Sequence, residues 1–519
     1  MFRKLLIAAV GSLLASTAAQ AGWYQASSKH FVVYANDSLT NVKDFTERLE
    51  RFDKAIRVWH VAPEDPRGPS ARVTIFVVND VSDIQRLYGS GGDGVAGFYH
   101  PVAGESVAFT PRSGGAGDLS SRAILFHEYT HHWMLTNWTD AALPPWFVEG
   151  FAELHATALF RNNSVIFGAV PTYRRYTVGN MNVLPMNRLL RFDPGIQSDE
   201  ERDALYSHGW ALSHYLTFDP ERRKQLAAYI GALNSGKAAD ASALIGNGAD
   251  MDIKLASYVR RPSLPSAAFS YDQLPIAAVT VRPLTPGEAA VMPAMMLSKR
   301  AVDRKNAGKV AALTRSLATP FPNDAAAQNE LAEAEFDACS VDAAADAACF
   351  ARAEAAADRA LAADPKSIHA LDYKAMAQLA ALKRAKVTDP ARWTAARRWF
   401  LAANRIDTEA PQPLIGFYRS FLEAGQIPSA SARAGLVYAY ALAPYDAGVR
   451  KQAAEVLLGQ GKLAEARIAI APVAYSVEER DEAAGAQKVL ARIDAGDTAG
   501  ALEEFKRQAK QAAEEERKG

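Results

Sequence analysis

The segment that most constrains this chain is a pair of histidines four residues apart with a glutamate directly after the first. His127, Glu128 and His131 form the pattern H-E-x-x-H. In an α-helix, residues four apart lie one turn above each other on the same face, so both imidazoles can bind one metal ion. Glu128 then lies where it can take a proton from a water at the metal. The pattern therefore predicts a helix that carries a metal site for hydrolysis.

The sequence around the motif is also typical of a helix. Asp118 and Ser120 are available to cap its N-terminus. A buried face is supplied by the apolar residues Ile124, Leu125, Tyr129 and Trp133. The alternative is that the two histidines are ordinary surface or core residues, because chance gives this motif in roughly one chain of this length per hundred.

A second acidic pair follows downstream. Pro144 and Pro145 can open a helix at its first turn, and the run after them has helical character. Glu149 and Glu153 then lie one turn apart on one face, flanked by aromatic and aliphatic residues that predict burial. Buried carboxylates need a metal or a hydrogen-bonding partner, so we predict that this pair belongs to the metal site. A solvated acidic stripe is the alternative.

Together, H-E-x-x-H and the string Val148-Glu149-Gly150-Phe151-Ala152-Glu153 resemble the gluzincin metallopeptidases. Members of that clan take their third zinc ligand from a glutamate in N-E-G-F-A or a similar string. Seventeen residues separate His131 from Glu149 here. The resemblance implies Glu128 as the general base and Glu153 as an acidic residue that orients a ligand histidine. It implies three ligands for Zn²⁺, which are His127, His131 and Glu149.

The resemblance extends to Tyr206-Ser207-His208-Gly209. Aminopeptidase-type gluzincins carry Tyr-x-Lys-Gly here, and their tyrosine stabilises the tetrahedral intermediate. Tyr206 and Gly209 match, whereas His208 replaces the lysine. The resemblance implies an oxyanion-stabilising role for Tyr206, with a core tyrosine as the alternative. A structural or ligand-orienting role is predicted for the remaining histidines of this region, His132, His155, His208 and His214.

In gluzincins the strand before the H-E-x-x-H helix lies at the edge of the cleft and pairs with the extended substrate. The segment 105–110 occupies that position here, and the resemblance implies the same pairing. Aminopeptidases carry Gly-x-Met-Glu-Asn on this strand, but this chain has Gly104-Glu105-Ser106-Val107. The departure argues against aminopeptidase specificity.

The rest of the N-terminal half alternates strand and helix signals. β-branched and aromatic runs predict strands at 30–35, 73–78 and 97–100, and an amphipathic run predicts a helix over 42–58. The glycine-rich stretch 89–97 lacks a Gly-Lys-Ser/Thr ending and is interpreted as a flexible loop. Strands followed by helices predict an α+β fold of gluzincin type, with a small mixed sheet plus helices.

The C-terminal half has a different composition. Prolines punctuate 261–293, and from Ala294 onward the chain is rich in Ala, Leu, Lys, Arg and Glu. Pro411 and Pro444 are 33 residues apart, close to the ~34-residue period of tetratricopeptide repeats, which these helix-turn-helix units resemble. We therefore predict an all-α tetratricopeptide-like solenoid, with a generic Ala-rich bundle as the alternative. Cys339 and Cys349 are predicted to form a local disulfide within it.

These observations predict five segments. Residues 1–21 are a signal peptide ending in Ala19-Gln20-Ala21. The other segments are a gluzincin-like metallopeptidase domain (22–262), a Pro-rich linker with a short strand (263–293), a tetratricopeptide-like helical repeat domain (294–495) and a charged helical tail (496–519). The signal predicts export to the bacterial periplasm, with secretion beyond it as the alternative. No stretch of membrane-spanning length follows the signal.

Two functional hypotheses follow. The first is an exported zinc metallopeptidase whose repeats recruit a polypeptide substrate or a protein partner. The second is a tetratricopeptide-type interaction scaffold with a weak or inactive protease-like domain. A cell-wall peptide as substrate is not distinguished from a polypeptide. The formal net charge is zero and no Lys/Arg stripe is present, so nucleic-acid binding is not expected.

Overall fold

The computed structural model describes residues 22–89, 92, 95–112, 121–174, 176–192, 195–237, 240–342, 344–476 and 480–518. The predicted signal peptide and the predicted helix caps Asp118 and Ser120 lie outside these ranges. The strands are β1 (Gly22–Ser27), β2 (Phe31–Asp37), β3 (Val73–Val78), β4 (Phe98–His100), β5 (Val107–Pro111), β6 (Leu159–Arg161), β7 (Ser164–Phe167), β8 (Ala267–Ser270) and β9 (Thr280–Pro283).

The first nine helices precede the prolines of the linker. They are α1 (Leu39–His60), α2 (Val81–Tyr88), α3 (Ser121–Asn137), α4 (Pro145–Ala156), α5 (Met186–Leu189), α6 (Asp199–Phe218), α7 (Pro220–Leu233), α8 (Ser242–Ile245) and α9 (Gly248–Val259).

The remaining helices form the C-terminal array. They are α10 (Pro286–Lys299), α11 (Ala307–Ala318), α12 (Ala325–Val341), α13 (Phe350–Ala363), α14 (Ile368–Arg384), α15 (Pro390–Ile406), α16 (Pro411–Glu423), α17 (Ala430–Leu442), α18 (Ala447–Gly459), α19 (Leu463–Ala474), α20 (Arg480–Asp494) and α21 (Thr498–Lys518). The described chain is thus mixed, with sheets in its first part and helices alone in its last.

A six-stranded sheet organises the first part, in the order β4-β5-β3-β2-β1-β9. The strands β2, β3 and β5 are parallel neighbours, whereas β1, β4 and β9 pair antiparallel. Alternate side chains of β2 are buried, as expected for a strand packed against helices on one face. The strand β9 lies within the predicted linker and pairs with β1, so this part of the linker belongs to the first sheet.

The position of β5 contradicts one prediction. Its residues pair with β3 on one side and with β4 on the other. The segment 105–110 is therefore not a free edge that could pair with a substrate, because a hairpin folds β4 back over it. The edge strand is β4 (Phe98–His100). The order of strands along the chain did not reveal which of the two neighbours lies outside.

A buried polar network fixes α3 against α1. The Tyr129 hydroxyl donates a 2.7 Å hydrogen bond to Asp53, which also accepts a 2.7 Å bond from Arg57. Beside it the rings of Phe52 and Phe126 stack with centroids 4.0 Å apart. The charges are paired and the rings exclude water, so the helix that carries H-E-x-x-H has a fixed position.

The helices α4 and α6 cross at two glycines. A Cβ on Gly150 would lie 2.1 Å from the Gly209 carbonyl carbon, and a Cβ on Gly209 would lie 2.6 Å from the Trp146 carbonyl oxygen. Only residues without a side chain permit this approach of the two backbones. The crossing sets the position of Tyr206 relative to Glu149.

The helical array begins earlier than the composition suggested. Helix α10 starts at Pro286 inside the predicted linker, with a capping box between Thr285 and Glu288.

The predicted disulfide between Cys339 and Cys349 is present and joins α12 to the start of α13, with Cα atoms 5.9 Å apart. In the predicted tail, Ala501 and Phe505 of α21 are buried, so this helix packs on the array along its first turns.

The array contacts the first domain directly. The Gly68 amide donates a 2.7 Å hydrogen bond to Glu409, the Ala103 amide donates one of 3.0 Å to Asp446, and Arg450 donates one of 2.6 Å to the Thr139 carbonyl. Part of the surface that the repeats were predicted to offer to a partner is therefore covered by the chain itself. Among the described residues, no helix combines the length and apolar character needed to cross a lipid bilayer.

Candidate metal centre

The three predicted ligands converge on one point. Helix α3 places the Nε2 atoms of His127 and His131 3.0 Å apart. Helix α4 brings Glu149 Oε2 to 3.3 Å from His127 Nε2 and to 3.6 Å from His131 Nε2. The seventeen-residue spacing therefore closes into a triangle of donor atoms, because α3 and α4 pack side by side.

The triangle has the size that zinc requires. With Zn–N and Zn–O bonds of about 2.0–2.1 Å, the edges of a coordination tetrahedron are about 3.3 Å long. The observed edges of 3.0, 3.3 and 3.6 Å bracket that length. Two imidazoles and one carboxylate are also the donor set of a catalytic zinc site, which leaves the fourth position open.

The burial and the contacts of Glu149 also favour a bound cation. The residue is 0% exposed, and its Oε2 lies 3.3 and 3.6 Å from the ring nitrogens of His127 and His131, without a hydrogen bond of good geometry from the described residues. A buried ionised carboxylate without hydrogen bonds is costly unless a cation lies beside it. Burial by itself would raise the pKa of Glu149, but the neighbouring His131 and His127 hold it below its usual value.

The potential at the site favours a positive charge. Burial opposes protonation of His127, yet the close contact with Glu149 and the charges of Glu153, Glu149 and Glu128 raise its pKa to about 9. The same carboxylates that attract a proton would attract a divalent cation, and a cation would displace the proton. The residues present therefore fit a zinc ion.

Glu153 lies behind the site, with Oε1 3.7 Å from His127 Nδ1. Two residues that the sequence analysis missed hold it there. The Tyr173 hydroxyl donates a 2.6 Å hydrogen bond to Oε2, and Arg174 donates one of 2.9 Å to Oε1. Arg174 also binds Asp203 of α6 at 2.6 Å. No motif marks Tyr173 and Arg174, which lie on a short 3₁₀ helix (Thr172–Arg174) in the connection between β7 and α5.

A cavity of about 400 Å³ opens in front of these residues and is lined by His127, Glu128, Glu153 and Tyr206 among others. The Tyr206 ring stacks against His127 with centroids 5.8 Å apart, and the Arg174 guanidinium lies 4.6 Å from the centre of the Tyr206 ring. The structure therefore brings the predicted general base and the predicted oxyanion-stabilising tyrosine to the same cavity.

The other histidines of this region contact groups away from the metal ligands. His132 binds the Tyr99 hydroxyl at 2.7 Å, and the ring nitrogens of His208 lie 2.9 and 3.1 Å from backbone carbonyls of Leu184 and Thr177. His214 and His155 are buried in the same manner, against Tyr258 and against the Phe151 carbonyl. Burial lowers the pKa of each of these four histidines, which is consistent with structural roles.

A smaller cavity of about 100 Å³ lies beside His131. Its walls combine Leu143 and Val148 of the first domain with Pro472 and Tyr475 of the helical array. The Tyr475 ring packs on Phe192 with centroids 4.3 Å apart, which fixes that wall. The two parts of the chain therefore both contribute to the surroundings of the candidate metal centre.

A second group of potential ligands, Glu105, Glu333 and His369, lies between the first domain and the array. Here a cation is already supplied by the chain, because Lys299 Nζ lies 2.7 Å from Glu333 and 3.3 Å from Glu105. Burial opposes the charge of Lys299, but the two carboxylates raise its pKa above the usual value. This group is a charge-paired contact between the two parts of the chain.

A scan against protein-family models and a search of curated proteins find no match. Among solved structures, the chain resembles a thermophilic TPR protein from Thermus thermophilus, with 17% identity and a TM-score of 0.31. The match covers 39% of this chain and 97% of the other.

Proposed function

We propose that this protein is an exported, zinc-dependent metallopeptidase of gluzincin type, with Zn²⁺ held by His127, His131 and Glu149. The observation that carries the proposal is the triangle of their donor atoms, with edges between 3.0 and 3.6 Å, around a buried carboxylate that accepts no hydrogen bond of good geometry from the described residues. The export signal and the repeat assignment of the array remain part of the same proposal and rest on the sequence.

When bound, zinc would supply Lewis acidity for the scissile carbonyl and for the attacking water. The residues of the chain provide the rest. Glu128 accepts a proton from the water and passes it to the leaving amine nitrogen. The Tyr206 hydroxyl donates a hydrogen bond to the oxygen on which negative charge develops. Glu153, held by Tyr173 and Arg174, keeps the His127 ring oriented.

The proposal is tested by metal removal. The purified mature protein is expected to contain close to one zinc per chain and to hydrolyse an unstructured protein such as casein. Dialysis against a chelator should abolish hydrolysis, and added zinc should restore it. Zinc content is measured by elemental analysis and hydrolysis by release of soluble peptides. A protein that binds no zinc even when zinc is supplied would contradict the proposal and favour the interaction scaffold.

Replacing Glu153 with glutamine should weaken zinc binding by about 10–100-fold, because it removes a charge that orients a ligand. Zinc affinity is measured by competition with a chromophoric chelator. Glu465→Gln, at an exposed position of α19, is the matched control and should leave the affinity unchanged. Equal zinc affinity in the two variants would show that Glu153 does not contribute to zinc binding.

The small cavity beside His131 is expected to receive an aliphatic substrate side chain next to the scissile bond. Tyr475→Ala should enlarge it, and the ratio of kcat/KM for phenylalanine over valine at that position should rise by about 10-fold. Cleavage of a peptide library, read by mass spectrometry, measures the change. Tyr438→Ala, at an exposed position of α17, is the control. An unchanged profile in Tyr475→Ala would exclude the array from substrate selection.

A further inference from the structure

A cavity of about 560 Å³ lies between the first domain and the helical array, and it shares no lining residue with the cavities at the metal centre. The helices α14 and α16 form much of its wall. The loop 102–105 of the first domain also lines it. Because both parts of the chain build it, the cavity exists only in the assembled molecule.

Its lining is apolar with an excess of acidic groups. Aromatic and aliphatic side chains such as Tyr373, Met376 and Phe400 supply the apolar surface. Four carboxylates face two basic side chains, and these six residues are Glu105, Asp372, Glu423, Asp446, His369 and Arg419. The cavity therefore suits a ligand that is apolar along its length and carries a positive charge.

Three of the carboxylates are satisfied or reach solvent. Glu105 pairs with Lys299 at 3.3 Å, and Asp446 accepts the 3.0 Å hydrogen bond of the Ala103 amide. Glu423 is exposed at the end of α16. Arg419 already donates a 3.1 Å hydrogen bond to Gln452, outside the cavity lining.

The fourth carboxyl group, that of Asp372, is buried in the cavity wall. Its residue is only 6% exposed, and its Oδ1 accepts no hydrogen bond from the part of the chain that the structure describes. Burial raises the pKa of this carboxyl well above its usual value, against the opposing charge of His369. Burial thus opposes ionisation of this carboxyl even with His369 nearby, so a further cation that enters the cavity beside Asp372 would stabilise its charged form.

We propose that this cavity binds an arginine side chain of a polypeptide partner, with the Asp372 carboxylate accepting hydrogen bonds from the guanidinium. A guanidinium offers several planar donors to a carboxylate and packs well against apolar surface, which Tyr373 and Met376 contribute to the cavity wall near Asp372. The apolar lining accommodates the hydrophobic residues that flank the arginine. The proposal is independent of the metal centre and applies equally to a peptidase and to a scaffold.

The test uses the full chain and dye-labelled heptapeptides with a central arginine between leucines. Fluorescence anisotropy compares this peptide with its citrulline counterpart, which has the same shape without the charge. The arginine peptide should bind at least ten-fold more tightly. Glu128→Gln is introduced in every protein so that the probe is not hydrolysed during the measurement.

Asp372→Asn should remove the ten-fold preference for arginine over citrulline, whereas Glu465→Gln should retain it. The comparison of the two peptides on the protein with Asp372 intact keeps the test valid if the Asp372→Asn variant folds poorly. Equal binding of both peptides, no binding of either, or an unchanged preference in a folded Asp372→Asn protein would each overturn the proposal. Binding of spermidine without binding of the arginine peptide would overturn the assignment to a polypeptide.

Discussion

Replacing Glu128 with glutamine is expected to lower kcat/KM for an unstructured protein by about 10²–10⁴-fold, the usual contribution of a general base. Zinc content should stay near one ion per chain, because Glu128 is not among the three converging donors. Glutamine keeps the size of the side chain but cannot accept the proton of the attacking water. Initial rates of hydrolysis and elemental analysis of the same preparations measure the two quantities.

Two comparisons make this result specific. Glu149→Ala should lose zinc and activity together, since it removes one of the three donors, and Glu465→Gln should lose neither. Activity that survives in Glu128→Gln at more than a tenth of the wild-type value would require another general base. Activity that falls only in proportion to zinc content would reduce Glu128 to a structural role.

Replacing Gly150 with alanine should destabilise the first domain by about 1–3 kcal/mol, because overpacking forces a backbone shift. The new Cβ would lie 2.1 Å from the Gly209 carbonyl carbon, and backbone atoms cannot rotate away as a side chain can. Separation of α4 and α6 would also move Tyr206 relative to Glu149. A displacement of about 1 Å at a reacting centre can cost about 100-fold in rate.

Thermal unfolding of the full chain, followed by circular dichroism, measures the first effect. The matched control is Gly231→Ala, because a Cβ on that helical glycine of α7 would meet no atom within 4 Å. Alanine there should be neutral or stabilising by about 0.4–1 kcal/mol. An unchanged melting temperature in Gly150→Ala would show that the two helices can separate without cost.

Local features of the sequence anticipated much of the candidate site. The four-residue spacing of His127 and His131 predicts a shared helical face, and the apolar residues around Glu149 predict its burial. Both follow from helical periodicity, which depends on neighbours within a few turns. The disulfide between Cys339 and Cys349 is similarly local. Strand positions in the first domain could be predicted because β-branched and aromatic runs mark them.

The residues that surround the candidate metal ligands could not be predicted from local sequence patterns. Tyr173 and Arg174 hold Glu153 from a short 3₁₀ helix without a sequence signature, and Tyr475 reaches the surroundings of His131 from the helical array. The edge strand was also assigned incorrectly, because the pattern of a strand does not show whether it lies outermost in the sheet. Which strand lies outermost depends on how the β4–β5 hairpin folds, and the pattern of either strand is the same in both positions.

The sequence by itself thus determined which side chains could bind a metal and on which helices they lie, because periodicity and side-chain chemistry act over short distances. Only the tertiary structure decided that α3 and α4 place three donor atoms within 3.6 Å of one another. It also decided that the array covers part of the first domain and leaves the cavity at Asp372 between them. These features depend on contacts between residues far apart in the chain, and packing fixes such contacts only when the whole molecule is assembled.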